Sequence, residues 1–127
     1  MHIKELADRA GVSVKAVRYY ESRGLVRPRR ATNGYRTYDD ADVRVVREVR
    51  ALLSLGLTAE QTHPFVECLR AGNDRADVCP ASLSAYRDRI ADIDARMSEL
   101  AALRAQLADL LTQAEQYRTA PITEENR

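Results

Sequence analysis

In IKELADRAG, near the start of the chain, Ile3, Leu6, Ala7 and Ala10 fall on one face of a short helix. Gly11 interrupts that face. Ser13 then stands where its hydroxyl can accept a backbone N–H and open a second helix over residues 14–23. Val14, Val17 and Tyr20 or Glu21 recur along it at helical spacing, and Gly24 closes it in a left-handed conformation. Two short helices joined by a tight, Gly-containing turn predict a helix-turn-helix.

The pattern changes over LVRPRRATNGYRTYDD. Asn33-Gly34 is a turn dipeptide, since both residues tolerate positive φ, and it is flanked by Arg30, Ala31, Thr32 and by Tyr35, Arg36, Thr37. The spacing predicts a small two-stranded wing, too short to stand without support from the helices. Asp39 then caps a third helix, with Asp40 and Asp42 in its first turn. Its buried face is expected at Val43, Val46, Val49 or Arg50, and Leu53, and its end at Gly56. Thr58 and Gln61 form a capping-box pair for a fourth helix carrying Phe65, Cys68 and Leu69 on its apolar stripe. Pro64 lies inside that helix and is expected to kink or shorten it. Residues 71–79 read as a linker loop.

From Pro80 to about Tyr117 a single long helix is predicted. Leu83, Tyr86, Ile90, Ile93, Met97, Leu100, Leu107, Leu111 and Ala114 alternate spacings of three and four, interrupted at Arg104. A stripe this narrow needs a partner helix. A helix of nearly 40 residues reaches roughly 55 Å at 1.5 Å per residue, further than a small domain extends. A second copy of the same helix is the simplest partner, which predicts a homodimer. The fold class is therefore mainly all-α. Residues 1–70 form a winged helix-turn-helix domain with a small β-hairpin wing, 80–117 form an antiparallel dimerisation coiled coil, and 118–127 form a flexible tail.

Charge sharpens this picture. Residues 1–36 hold nine Lys or Arg against three acids, +6, which leaves −5 for the remainder of a chain with net charge +1. A basic head on an acidic body points to a polyanion, with nucleic acid first. No apolar run approaches the roughly 18 residues of a membrane span, and MHIKELADRAG lacks the apolar core of a secretory signal. The expectation is a cytoplasmic protein, away from the membrane, with its two cysteines reduced. No Ser-His-Asp set or phosphate loop appears, so no enzyme and no cofactor are expected.

In a helix-turn-helix the second helix enters the major groove. Here it reads SVKAVRYYESRG, and Lys15, Arg18 and Tyr19 lie near one exposed stripe. Lys and Arg can bind phosphates or guanine edges, and Tyr hydroxyls can bind phosphates. The wing adds Arg29, Arg30, Tyr35 and Arg36 around its turn. In a two-fold dimer these elements predict a pseudo-palindromic site on double-stranded DNA.

The run KELADRAGVSVKAVRYYESRGLVRPRRATNGYRTYDDADV closely resembles the MerR family of bacterial transcription regulators. The shared elements are V-R-Y-Y-E, G-L-V-x-P, N-G-Y-R-x-Y and the D-D-A-D helix start. The resemblance covers about the first 70 residues, and the long helix extends it to about residue 115. It implies a dimer bound between promoter elements that are spaced too far apart. The dimer would bend and untwist the DNA so that nearby RNA polymerase can engage them. By position it implies DNA contacts from Arg18, Tyr19, Tyr20, Tyr35 and Arg36; Ser13, Asn33 and Gly34 complete the expected interface. Tyr20 also fits the core side of its helix. A coiled-coil adaptor binding another protein through the basic head is the alternative from a different class.

The resemblance also directs attention to DVCPASLSAY, residues 77–86. Family metal sensors place a Cys or Ser at the start of the dimer helix, where Cys79 stands, and complete the site with a Cys-bearing loop beyond that helix. This chain has no Cys after position 79, so no metal site is expected, and a metal-responsive regulator is the alternative. A thiol at a helix N-terminus has its pKa lowered by the helix dipole. Cys79 is therefore a candidate sensor of thiol-reactive signals, with Cys68 as resolving partner. For Cys68 the other reading is a small buried apolar residue, and for Cys79 an inert cap. A small ligand between the fourth helix and the dimer helix is the other expectation, with the effector unknown. Thr62 and Pro64 depart from the family pattern, which often has an apolar residue and a plain helix there.

Overall fold

The computed structural model describes residues 1–120. The elements in chain order are α1 (Ile3–Ala10), α2 (Val14–Ser22), β1 (Arg29–Arg30), β2 (Arg36–Thr37), α3 (Asp40–Ser54), α4 (Ala59–Arg70) and α5 (Pro80–Thr119). They divide into two compact units, Met1–Arg89 and the remainder of the chain from Ile90. The first unit therefore takes in the opening turns of α5. No described helix is long and apolar enough to cross a membrane.

Local chemistry explains where each helix of the first unit begins and ends. The Ser13 hydroxyl accepts from the Ala16 amide at 3.0 Å and starts α2. Asp39 and Asp42 form a reciprocal capping box, each carboxylate accepting the other's backbone N–H, at 3.1 and 2.9 Å. Thr58 and Gln61 do the same for α4. Each such box satisfies amides that the helix cannot satisfy itself. Between α1 and α2 the chain must reverse within three residues, and Gly11 supplies the left-handed φ of +73° that the reversal needs.

The core of the head gathers Leu6, Ala7 and Ala10 of α1, Val17 and Tyr20 of α2, and Val43, Val45, Val46 and Val49 of α3, with Leu25, Val26 and Tyr38 from the connecting segments. The buried face of α3 departs from expectation by one position: Leu52 is buried and Leu53 only partly so. Val45 is also buried, because α3 is covered on two sides and its apolar stripe is correspondingly wide. A second cluster joins Leu52, Leu57, Phe65, Ala76 and Ala85. Tyr86 packs edge-to-face on Phe65, with ring centroids 4.9 Å apart. The start of α5 is thus held by the head's own core.

Three local expectations are corrected. The wing turn does not place both Asn33 and Gly34 at positive φ; only Gly34 is there, at +85°. Gly34 N–H bonds the Ala31 carbonyl, and Ala31 N–H bonds the Tyr35 carbonyl. That is a three-residue loop with a left-handed glycine at its end. Asn33 contributes its side-chain oxygen, which accepts from Tyr35 N–H at 3.2 Å. Pro64 does not shorten α4, which runs unbroken to Arg70. It falls early in the helix, so the acceptor it leaves without an amide belongs to exposed Glu60, where water can replace it. Finally, α5 continues through Thr119, two residues into the expected tail. Ala120 follows it, and residues 121–127 of that tail lie outside the described residues.

From Ile90 onward α5 presents Ile90, Ile93, Met97, Leu100, Leu107 and Leu111 exposed along one stripe, and Leu103 and Leu110 beside it. The last two lie seven residues apart, next to the seam, and widen it in its distal half.

The capping box makes one quantitative prediction. Asp39→Ala should destabilise the protein by about 1 kcal/mol, read as a lower urea midpoint with an unchanged slope.

Candidate nucleic-acid interface and cysteine pair

Helix α2 has nine residues, too few to persist alone in water. It is held because Val17 and Tyr20 are buried against α1 and α3. The same rotation leaves Lys15, Arg18 and Tyr19 exposed. Lys15 and Arg18 have no ion-pair partner among the described residues, so their charges are available to an external polyanion. Tyr20 goes the other way. Its ring is 6% exposed, and burial holds its hydroxyl above the ordinary phenol range. Its ring packs in the core of the head, apart from the exposed stripe of Lys15, Arg18 and Tyr19. Ser13 is exposed; its hydroxyl oxygen accepts the cap bond from Ala16, and its O–H remains able to donate.

The wing is set beside α2 by one acidic residue. Glu21, on the last turn of α2, accepts from the Arg36 guanidinium at 2.9 Å and from the Tyr38 hydroxyl. Burial and that hydrogen bond raise the pKa of Tyr38, which keeps its proton. His2, Ile3, Arg18, Tyr35 and Arg36 together line one cleft, so the expected helix and wing contacts share a surface. Other wing arginines are partly engaged within the chain. Arg29 pairs with Asp39 at 2.8 Å, and Arg30 donates to the Gly34 carbonyl at 3.1 Å. Burial works against ionisation of Asp39, but the Asp42 amide and the Arg29 guanidinium hold its carboxyl below the usual range. These exposed pairs contribute little to stability; they pre-align cationic side chains around the turn.

The expectation of two reduced thiols is overturned: Cys68 and Cys79 form a disulfide, with Cα atoms 6.0 Å apart. Cys68 sits near the end of α4 and Cys79 just before α5. The intervening loop folds back and brings them together, which sequence separation could not show. Cys79 is the cap of α5 as expected, since its carbonyl accepts from the Ser82 and Leu83 amides at 3.0 and 3.2 Å. The Asn73 side-chain amide reaches both cysteines, donating to the Cys68 carbonyl at 2.9 Å and toward the Cys79 sulfur at 3.5 Å. Cys68 is 2% exposed, whereas Cys79 is half-buried. With His63, Pro64, Ala71 and Ala81 they line a shallow, mostly apolar recess.

Sequence reasoning missed a set of residues on α4. Glu60, His63, Glu67 and Arg70 recur at helical spacing and all reach the segment leaving α2. Their only advance sign was a polar stripe at spacings of three and four, which also fits a solvated face.

Helix-turn-helix, wing and exposed cations on one surface define a DNA-binding domain of the winged helix-turn-helix class. Residues 1–63 match the model of the MerR HTH family regulatory proteins. Over 111 residues the chain is 34% identical to the transcriptional regulator HmrR of Rhizobium leguminosarum bv. viciae, spanning 87% of this chain and 84% of that protein. It is 33% identical to CueR of Salmonella typhimurium strain LT2, spanning 87% and 78%. Among solved structures it resembles the regulator PbrR691 from Ralstonia metallidurans CH34 in complex with lead(II), with TM-score 0.72, 29% identity, and coverage of 88% of this chain and 86% of that one. The chain belongs to the MerR family of DNA-binding transcription regulators.

The disulfide joins residues 11 apart in sequence, a loop whose closure contributes about 3 kcal/mol of chain entropy. Reduction should therefore lower the unfolding temperature, read by calorimetry with and without dithiothreitol, and the Cys79→Ser variant should show no such difference.

Proposed function

We propose that this protein is a homodimeric regulator that binds a pseudo-palindromic promoter operator and controls transcription by bending and untwisting it. It responds to a thiol-reactive signal at Cys68 and Cys79. The observation that carries the DNA-binding part is the shared surface of α2 and wing, with Lys15, Arg18 and Tyr19 exposed beside Tyr35 and Arg36. Cations on two elements can grip phosphates on either side of a groove, which fixes register, and an exposed Arg18 on the second helix has the chemistry to read a base edge. The dimer part rests on the exposed stripe of α5. Each large aliphatic side chain fully removed from water contributes roughly 1.5–3 kcal/mol, and a second copy offers an identical stripe. Two heads on one two-fold axis then face two half-sites, and deforming the intervening DNA is offset by their contacts.

The metal-responsive reading draws on the likeness to the lead(II)-bound regulator. The residues here do not fit a soft metal ion in the form described. The two thiols are bonded to each other, and among the described residues no three His, Cys, Asp or Glu side chains gather closely enough to hold an ion. Elemental analysis of the purified protein tests this reading, which gains support only from a stoichiometric thiophilic metal.

Binding to sequences selected from genomic DNA, followed by footprinting, tests the main proposal. A symmetric footprint is expected, and Arg18→Ala should weaken specific binding by about 1–3 kcal/mol. A protein that selects no DNA, or an Arg18→Ala variant with unchanged affinity, contradicts this account. Leu100→Glu should convert the dimer to monomers in sedimentation equilibrium, because a carboxylate cannot be buried unpaired in an apolar seam.

A further inference from the structure

The four polar residues of α4 converge on one target. Arg23 is the C-cap of α2. Its carbonyl lies 2.8 Å from His63 Nε2, and because a carbonyl only accepts, Nε2 carries the proton. Arg70 donates to the Leu25 carbonyl at 2.8 Å. Glu60 and Glu67 pair with Arg23 and Arg27, each at 3.4 Å. Two of these contacts are to main-chain atoms, so α4 holds the backbone path from the recognition helix to the wing. Cys68 follows Glu67 directly and precedes Arg70 by two residues. Its bond to Cys79 ties this end of α4 to the first residue of the α5 cap.

We propose that Cys68 and Cys79 form a hydroperoxide-driven dithiol–disulfide switch, with Asn73 as the positioning residue for Cys79 and the Glu60, His63, Glu67, Arg70 face of α4 carrying its state to the exit of the recognition helix. This rests on the thiol-responsive reading above and specifies its chemistry and its route. Cys79 is the attacking sulfur. It is the more exposed of the two, and an amide N–H aimed at its sulfur favours the thiolate. Cys68, buried, resolves.

In the first step the Cys79 thiolate attacks the distal peroxide oxygen. An S–O bond forms, the O–O bond breaks, and the alkoxide or hydroxide leaves and takes up the proton Cys79 released. The Cys68 sulfur then attacks the sulfenic sulfur. The S–S bond forms, the S–O bond breaks, and the departing hydroxide leaves as water with the Cys68 proton. Two electrons pass from the pair to the peroxide, and exchange with an external dithiol returns them. Oxidised, α4 is anchored to α5 and its contacts to residues 23–27 are held. Reduced, the end of α4 carrying Glu67 and Arg70 loses that anchor.

The test uses the full chain, reduced with dithiothreitol, desalted and treated with one equivalent of hydrogen peroxide. Mass spectrometry should find one intramolecular disulfide. In the reduced protein iodoacetamide should modify Cys79 at least about tenfold faster than Cys68. Asn73→Leu should move the pH midpoint of Cys79 alkylation upward while far-ultraviolet circular dichroism stays unchanged. Amide hydrogen exchange should be faster in the reduced form over residues 66–79 and also over residues 23–27. Cys79→Ser, at the less buried position, should exchange like the reduced protein before and after peroxide. Thiols that survive peroxide, or join only between molecules, overturn the switch. An unmoved alkylation midpoint in Asn73→Leu overturns the role of Asn73. Exchange at residues 23–27 that is the same in both forms overturns the route through α4. None of these readouts involves DNA, so a failed operator selection would count against the regulator reading and leave this result standing by itself.

Discussion

A nine-residue helix cannot hold its own shape in water, and the function of this protein depends on α2 holding its shape. The burial of Val17 and Tyr20 in the core they share with Leu6, Ala10, Val46 and Val49 supplies what propensity does not. That one contact decides three further things. It turns Lys15, Arg18 and Tyr19 outward. It sets the end of α2, where Glu21 takes hold of Arg36 and Tyr38 and so of the wing. It also places the Arg23 and Leu25 carbonyls where α4 can reach them. The helices of the head share one small core, and the wing is tied to it through Glu21 at the end of α2.

The chain uses polar contacts in two different ways. Most ion pairs of the head, such as Arg9 with Glu5 and Arg29 with Asp39, are exposed and add little to stability. The contacts that carry geometry are those ending on the main chain or on a largely buried acid. Glu21 is the example at the wing, and His63 and Arg70 are the examples on α4. Such contacts fix the backbone path itself, and the disulfide lies at one end of that arrangement. The long helix follows a separate logic. Its first turns belong to the head through Ala85 and Tyr86. From Ile90 on, its apolar stripe is exposed and suited to another helix.

Much of this was legible in the chain. The helix starts at Ser13, Asp39 and Thr58 were readable because caps are local: three or four residues contain all the atoms involved. The helix-turn-helix, the wing and the apolar stripe of α5 were readable because their periods are short, although Tyr86, expected on that stripe, packs on Phe65 in the head. The candidate DNA-facing residues were legible only in part. Arg18 and Tyr19 could be placed on the outer face, but Tyr20, one residue on, could belong to either side until α1 and α3 were packed against it.

Sequence by itself therefore determined the order and type of the elements, their caps, the basic head and the exposed apolar stripe, since each follows from spacing within one or two turns. Tertiary structure alone decided what crosses between elements. It brought Cys68 to Cys79, placed Tyr86 on Phe65, and aimed Glu60, His63, Glu67 and Arg70 at the end of the recognition helix. None of these pairings has a local signature, because a side chain's partner across a fold is set by how two elements pack and not by its own neighbours in sequence.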